Sequence, residues 1–527
     1  MATAVDLSPA LASPENRFYA PDTPAAAPRA IPITQDLTAA SWSFGYDIAQ
    51  EALALYRNLL HEVETILAGY GVSLPSVAQG VIDCACQYMF PTAPILYERG
   101  LRMDAASIFG QAGAELTERV GDRHQQPWVD LVQDTGERKA QIEAIRTFAL
   151  ITGLCSMVGF RPQLTLGNAY LRPVAQYFLR ASRLALRLIE DDDIRNPNSS
   201  SLIIRIVQAT AHQHATGDTT TATFFGGQAR LLAHDLRLYD ESVYAKYDPV
   251  EAQLLRNAFW LLYTADQAAA ALHSRPFTLH ETLFETPLTT RPVNESTVLL
   301  LDSSQPHHAP PFEERLLSTF HLGHRMRALA ADLTLGIRRF SRRNLRVLAQ
   351  NDANFSEYLD ITHLEEIYAR FTFLLEDAPT RIKSPNKMSP GDQAVGAYQR
   401  EIFWIQRTQL FVTFHCLRFT ILHQCIEHDL TYLVGCNNDP GALAVRKVEI
   451  ARDFVNEIEK APFSSLQALG EPIVEQLRHV GSILLQLTQS LTNKTLENRA
   501  NLYLSRLINI LSSLDSKASD ALLTHPT

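Results

Sequence analysis

The stretch YLRPVAQYFLRASRLALRL, residues 170–188, decides the fold class. Its apolar residues follow steps of three and four, the spacing that places side chains on one face of an α-helix. Pro173 lies in the first turn, where its missing N–H costs no hydrogen bond. The acidic and polar run at 190–197 predicts the end of this helix. The predicted buried stripe consists of Leu171, Val174, Phe178, Ala181, Leu184, Ala185 and Leu188.

The same periodicity recurs over most of the chain. Another helix is predicted to begin at 199–201, and the alternating patterns typical of strands are nearly absent. We therefore predict an all-α fold, a large array of packed antiparallel helices. Helical spacing also covers residues 46–69, 76–90, 137–158, 222–238, 249–273, 313–347, 362–376, 393–434, 442–460, 465–490 and 494–514.

Prolines mark the predicted boundaries of the helical regions. Residues 1–42 are rich in proline and alanine with little apolar mass, and we predict a flexible, disordered arm there. Irregular proline-containing segments also lie at 274–311 and 377–392, and the second is interpreted as a linker. The remaining helices form a larger helical region at 43–376 and a C-terminal bundle at 393–515, and we expect the two to pack as one body. Residues 516–527 are assigned to a tail.

Composition and charge exclude several classes of protein. With 46% hydrophobic and 20% charged residues, most of the chain is expected to fold. The formal net charge of −10 repels phosphate backbones, so any DNA contact has to be local. Six scattered cysteines are typical of a reducing compartment. No signal peptide and no uninterrupted apolar stretch of 18 residues is seen, which predicts neither secretion nor a membrane span.

An aspartate run at Asp191–Asp193 suggests the magnesium-binding motif of helical isoprenoid synthases. That chemistry requires a second set of ligands, and the nearest candidate is the run at 351–356. There, Phe355 occupies the position of a needed ligand, and the hydroxyl of Ser356 comes one residue late. We therefore predict no isoprenoid synthase activity, and the templates of other common enzymes are absent from the sequence.

Histidines and cysteines form two candidate metal clusters. His321 and His324 are spaced like a ligand pair but lack a third ligand. A second group lies on one predicted helix, where about 100° per residue directs the side chains to different sides. Buried cysteines and partly solvated histidines are the more ordinary interpretation, so we predict no metal and no cofactor. The second group comprises His415, Cys416, His423, Cys425 and His428.

One basic patch stands out at the end of a long predicted helix. Five arginines within nine residues suffice for a local phosphate contact or an import-receptor contact. The alternative is a solvated helix end, where cations interact favourably with the helix dipole. The patch consists of Arg338, Arg339, Arg342, Arg343 and Arg346.

Three neighbouring segments carry a family pattern. FGGQARLLAHDLRLY at 225–239 combines small residues with a leucine-rich end, and HSRP at 273–276 takes the place of a Gly-Arg-Pro motif. Between them, 248–266 resembles the pattern E-x-x-R-R-R-x-F-W-x-x-Y-x-x-D, with Asn257 replacing one arginine. Upstream, FPTAPILY at 90–97 is similar to the family's entry motif. The matching residues are Gly226, Ala229, Leu236, Leu238, Arg256, Phe259, Trp260, Tyr263, Asp266, Arg275 and Pro276.

This pattern resembles the middle homology domain of fungal zinc-cluster transcription factors, and it covers residues 75–300 best. The resemblance implies that 43–376 is such a domain, in a nuclear transcriptional regulator. Its partners would be other transcription regulators or DNA-binding proteins, and a small-molecule effector is possible. The family's six-cysteine DNA-binding cluster is not seen, since the first cysteine is Cys84 and only one residue separates it from Cys86.

These observations predict a regulator that does not bind DNA specifically by itself. A helical ligand-binding or scaffold protein not tied to DNA is the alternative. We interpret the family residues as architectural: Phe259, Trp260 and Tyr263 are expected to fill a helix interface. Arg256 and Asp266 are nearly three helical turns apart and should contact different partners. Arg275, in the last of these segments, is expected to cap helix carbonyls or to pair with a carboxylate.

Overall fold

The computed structural model describes residues 37–110, 134–161, 169–273, 275–286, 288, 298–350, 356–387 and 393–514. These residues form helices and no strand, which confirms the predicted all-α class. The predicted tail and the predicted arm up to residue 36 lie outside these ranges, and the first described helix begins at Leu37. The chain divides into two compact units, 1–47 and 48–527. The second unit holds every helix described below except the first residues of the first helix.

The α-helices are numbered in chain order among the described residues. They are α1 (Leu37–Ala68), α2 (Leu74–Cys84), α3 (Glu98–Phe109), α4 (Asp134–Gly159), α5 (Leu171–Leu188), α6 (Glu190–Arg195), α7 (Ser199–Thr216), α8 (Thr219–Asp235), α9 (Pro249–His273), α10 (Phe312–Gln350), α11 (Ser356–Phe373), α12 (Thr380–Lys383), α13 (Gln393–Glu427), α14 (Pro440–Lys460), α15 (Phe463–Leu469), α16 (Glu471–Ser490) and α17 (Lys494–Ser513). A π-helical turn at Ala85–Met89 and 3₁₀ turns such as Glu241–Lys246 connect them.

Local chemistry sets several helix ends. The helix α7 begins at a capping box in which the Asn198 side chain accepts from the Ser201 N–H, and it ends at Gly217 with φ 71°. The side chain of Asp218 then caps α8, so this helix begins three residues before the predicted start at 222.

Two predicted helices are shorter than the apolar spacing indicates. The prediction of one helix over 393–434 is wrong at its end, because α13 stops at Glu427 and Asp429 adopts a positive φ of 56°. The predicted helix over 465–490 is divided at Gly470, which has φ 65° and ψ −150°. Pro472 follows in the first turn of α16, where proline is tolerated.

The sequence does not predict α3, because charged residues interrupt its apolar spacing. Glu98 begins this helix and is fully buried, although carboxylates rarely are unless they are paired. Its oxygens accept from Arg102 Nη2 at 2.7 Å and from the Asp302 N–H at 2.8 Å. A buried carboxylate does not contribute to the apolar periodicity from which helices are predicted. The helix that begins at Glu98 is therefore not recognised from the sequence.

The helix α4 packs extensively on α5 and α7. A close approach at Gly159 permits this packing, since a Cβ there would lie 2.9 Å from the Ala175 Cβ. On α5, most of the predicted stripe is buried. Leu184 and Leu188 are only half-buried, because the core face is rotated toward Leu186 and its neighbours.

One segment of α4, Arg138–Gly159, is long and apolar enough to cross a membrane by length and composition. Within the protein, 72% of its most apolar window is buried. Core helices pass the same test, and the neighbours α5 and α7 cover this one. The segment is therefore weak support for a membrane span.

Carboxylates hold the irregular segment that precedes α10. Glu313 accepts hydrogen bonds from the Leu300 and Leu301 N–H groups at 2.9 and 2.8 Å. Asp266 accepts from the Thr278 and Leu279 N–H groups at 2.8 and 2.9 Å. The segment thus receives from side chains the partners that a helix would supply from its own backbone.

The predicted linker at 377–392 is partly described. Residues 377–387 contain the short helix α12 and a 3₁₀ turn at Pro385–Lys387, and 388–392 lie outside the described ranges. The helix α10 lies before this segment in the chain and α13 begins after it, and these two helices pack against each other. The domain boundaries assigned at 42, 376, 392 and 515 stay predictions.

Candidate functional site

The family residues on α9 form a packed interface. Phe259, Trp260 and Tyr263 are at most 5% exposed, as expected for interface residues. Trp260 meets Phe259 and Tyr263 edge-on, with ring centroids 5.5 and 5.4 Å apart. It also stacks on His324 of α10, at 5.1 Å between centroids and 14° between planes. These aromatic rings join α9 to α10.

The two charged family residues on α9 bind different segments, as predicted. The Arg256 guanidinium pairs with Glu241 Oε1 at 2.5 Å and lies over the Tyr244 ring, 4.4 Å from its centroid. Asp266 anchors the N–H groups of 278–279, just after Arg275 and Pro276. One helix therefore holds the 3₁₀ turn before it and the irregular segment after it. The predicted pairing of Arg275 stays a prediction.

The small residues of α8 and the leucines just after its end have unequal roles. Ala229 and Leu238 are buried in the core, and Leu236 is half-buried. The idea that small residues here permit close helix approach does not hold at Gly226. A Cβ at that position would meet only the tip of the Arg230 side chain, at 4.0 Å.

The aspartate run contributes a buried ion network. Asp193 is fully buried, and its two carboxylate oxygens pair with Arg146 Nε at 2.7 Å and Arg205 Nη1 at 2.6 Å. The hydroxyl of Ser201 donates to the same carboxylate at 2.6 Å. Asp193 is thus fully engaged by the protein itself. The candidate for the second set of ligands is the run at 351–356. Residues 351–355 of that run lie outside the described ranges.

The histidine and cysteine candidates do not converge. Among the described residues, no group of three or more His, Cys, Asp or Glu side chains could hold a metal ion. Cys416 and Cys425 are buried as interpreted, and burial raises the pKa of each thiol to about 12. His423 is exposed, whereas His428 Nδ1 lies 3.1 Å from Ser341 Oγ on α10. The buried His324 has its pKa lowered well below the usual value by burial.

A cavity of about 430 Å³ lies where five helices meet, α9, α10, α13, α14 and α16. Sequence reasoning missed it. Its polar lining includes three cationic side chains, Arg327, Arg338 and Lys447, and the amide of Gln267. The exposed residues His423, Ser482 and Gln486 mark its mouth. The apolar lining comes mainly from Ala270, Ala271, Leu272, Phe277, Ala330, Ala331, Leu417, Phe419, Ile421, Leu422 and Ile483.

The basic patch is divided between this cavity and the surface. Arg338 is half-buried and donates from Nε to Gln424 Oε1 at 2.7 Å, on the cavity wall. Arg339, Arg342 and Arg343 are exposed. The side chain of Arg346 lies outside the described part of the structure. Among the arginines whose side chains are described, Arg338 is therefore separated from the exposed ones by its place on the cavity wall.

Comparison with known proteins adds no relative. No family model, no curated protein and no solved structure matches the chain.

Proposed function

We propose that the chain is a nuclear transcriptional regulator of the fungal zinc-cluster type. It acts through its helical domain and has no DNA-binding zinc cluster of its own in this sequence. The observation that carries this proposal is α9, whose family residues all make specific contacts. Arg256 binds the turn at 241–246, Asp266 binds 278–279, and three aromatic rings between them fill the interface to α10. These contacts of the family residues on α9 support the resemblance.

Regulation would then run through partners. Other transcription regulators or DNA-binding proteins would bring the chain to promoters, because its charge of −10 disfavours contact with phosphates. We expect promoter occupancy only in cells that contain such a partner.

A tethering experiment tests the regulatory role. The full chain is fused to an unrelated DNA-binding domain in a fungal cell, and transcription is measured from a reporter with that domain's sites. We expect a change in transcription relative to the DNA-binding domain alone. Matched fusions carrying Arg256→Gln, which breaks the Glu241 pair, should weaken the effect, whereas the exposed Arg452→Gln should not. An unchanged reporter, together with no promoter occupancy by the native chain, contradicts the proposal.

A second candidate is a helical ligand-binding or scaffold protein that is not tied to DNA. The cavity of about 430 Å³ favours it, since its size is typical of ligand sites, about 300–1,000 Å³. Ligand binding without any effect on the tethered reporter would distinguish this candidate from the first.

A further inference from the structure

We propose that the cavity between α9, α10, α13, α14 and α16 binds a small organic acid with an apolar body. Its anionic group would contact Arg327 and Lys447, and a hydroxyl or amide donor would meet Gln267 Oε1. This inference goes beyond the proposed function, because it holds whether or not the chain acts in transcription.

Arg327 is the first observation that points to an anion. Its side chain is buried at 7% exposure, and its Nη atoms donate only to neutral oxygens, Gly323 O at 3.1 Å and Thr413 Oγ1 at 3.4 Å. No carboxylate within the described residues pairs with it. Burial lowers its pKa to about 10, so it still carries its charge at neutral pH. A buried charge is costly unless it is paired, and a bound anion would pair it.

Arg327 lines the large cavity. It also lines a small space of about 20 Å³, next to Thr264, His324 and Gln406. Such a space holds about one water molecule and no organic anion. An anion that pairs with Arg327 therefore has to enter through the larger cavity.

The remaining charges in the cavity favour the same sign of ligand. Lys447 is half-buried, burial lowers its pKa, and no carboxylate in the described ranges pairs with it. The lining acid, Glu427, is already engaged: Gln424 Nε2 donates to it at 2.7 Å, and His423 Nε2 lies 3.3 Å away. The lining thus has three cationic side chains and one carboxylate, which already has partners in the protein. The cavity is therefore positively charged, although the whole chain has a net charge of −10.

Gln267 provides an independent observation of a missing partner. This residue is 3% exposed, and its Nε2 donates to Leu279 O at 2.7 Å, which fixes the orientation of the amide. Its Oε1 is buried and accepts no hydrogen bond from the protein. Buried acceptors without a donor are rare, and a ligand O–H or N–H would satisfy this one. Asp266 holds the same segment through the Leu279 N–H, so the amide is firmly placed.

Size and apolar lining restrict the ligand further. Side chains such as Leu272, Phe277 and Ile483 line the cavity, so a bare inorganic anion would leave their surface uncovered. A volume of about 430 Å³ is at the low end for drug-sized ligands, and a macromolecule would not fit. A small acid with an apolar body matches both the charges and the walls.

A pair of fluorescent probes tests this assignment. The first is 8-anilinonaphthalene-1-sulfonate, and the second is N-phenyl-1-naphthylamine, which has the same aromatic body without the sulfonate. We expect the folded chain to bind one equivalent of the sulfonate and to bind the neutral probe at least about tenfold more weakly, as expected for loss of a charged hydrogen bond. Equal affinities for the two probes would overturn the proposal.

Variants locate the site. Lys447→Gln should weaken sulfonate binding about tenfold and leave the neutral probe unchanged. The matched control is Lys460→Gln on the same helix α14, where the side chain is exposed and does not line the cavity. Ala271→Trp, which fills the cavity, should remove binding of both probes.

Near-ultraviolet circular dichroism and thermal unfolding confirm that each variant is folded. The assignment of binding to this cavity is wrong if Lys447→Gln and Lys460→Gln have the same affinity for the sulfonate probe. It is also wrong if Ala271→Trp binds both probes as the unmodified chain does. Probe binding is measured on the purified chain and does not depend on the tethered reporter. Failure of the ligand site and failure of the proposed function can therefore be distinguished.

Discussion

The carboxylate of Asp193 is shared by two buried guanidinium groups, those of Arg146 and Arg205. Because all three groups are out of water, each depends on the others for its stability. The acidic run around it looks like a metal site in sequence, yet its innermost member is an internal counter-ion. Asp191, two residues earlier in the same run, is exposed, so neighbouring aspartates have opposite environments.

Removal of this counter-ion should be strongly destabilising. We expect Asp193→Asn to lower the free energy of unfolding by about 3–5 kcal/mol, because two buried guanidinium groups lose their charge partner. Asp191→Asn, two residues away and exposed, should change it by less than about 0.5 kcal/mol. Urea unfolding measures both. Similar small losses in the two variants would show that the network does not support the fold.

Trp260 tests the aromatic interface between α9 and α10. We expect Trp260→Ala to lower the free energy of unfolding by about 3–5 kcal/mol, as other large-to-small core changes do. Trp260→Phe keeps a ring against His324 and should lose less. A thermal-unfolding midpoint that does not change in the alanine variant would mean that this helix face is not a structural interface.

At the scale of elements, close helix approach depends on single glycines. In Gly159→Ala, the new Cβ would lie 2.9 Å from the Ala175 Cβ and 3.0 Å from the backbone oxygen of Leu171, which cannot easily move. Overpacking of this kind costs about 1–3 kcal/mol, more than the helix propensity that alanine adds. We therefore expect a lower unfolding temperature.

Gly80→Ala on α2 is the matched control. No atom lies within 4 Å of the added Cβ there, so the higher helix propensity of alanine should stabilise the chain by about 0.5–1 kcal/mol. If the two variants shift the unfolding temperature in the same direction, the packing of α4 on α5 is looser than described.

The elements that could be predicted are those whose signal is local. The apolar steps of α5 and the Asn198–Ser201 box at the start of α7 lie within a few residues of the features they specify. The break at Gly470 was missed, because apolar spacing continues on both sides of it. The cavity was missed for a different reason. Its lining joins side chains from Gln267 to Gln486, and only tertiary packing brings them together.

At the scale of the whole molecule, buried histidines make stability depend on pH. Burial lowers the pKa of His214 and His324 well below the usual value, and it lowers the pKa of His415 to about 4. Below about pH 6.5 the unfolded chain binds protons at these positions and the folded chain does not. Each histidine then removes about 1.4 kcal/mol of stability per pH unit. Burial also raises the pKa of Glu313 to about 7, and this carboxyl acts in the opposite direction.

We expect the histidines to dominate, so that the free energy of unfolding falls by roughly 2 kcal/mol between pH 7.5 and 5.5. Urea unfolding across this range measures the slope. His415→Gln should flatten it, because one of the buried histidines is then removed. Stability that rises steadily toward pH 5.5 would contradict the burial of these histidines.

The charge of the whole molecule leads to the prediction that the chain alone does not bind DNA sequence-specifically. The net charge is −10, and the basic patch is divided, with Arg338 on a cavity wall and Arg339 and Arg342 exposed. Exposed arginines without a groove-docking element support only phosphate contacts, which weaken steeply as salt increases.

A titration against specific and scrambled duplexes at physiological salt measures this behaviour. We expect weak and equal binding to both duplexes, with a salt slope that falls by about 1 in Arg339→Gln or Arg342→Gln. Arg338→Gln should leave the slope unchanged, because that side chain donates to Gln424 and lines the cavity. Discrimination between the duplexes by about a hundredfold or more is beyond what phosphate contacts provide, since these contacts carry no sequence information. Such discrimination would place a DNA-binding surface in the helical body, and recruitment by a partner would then be unnecessary.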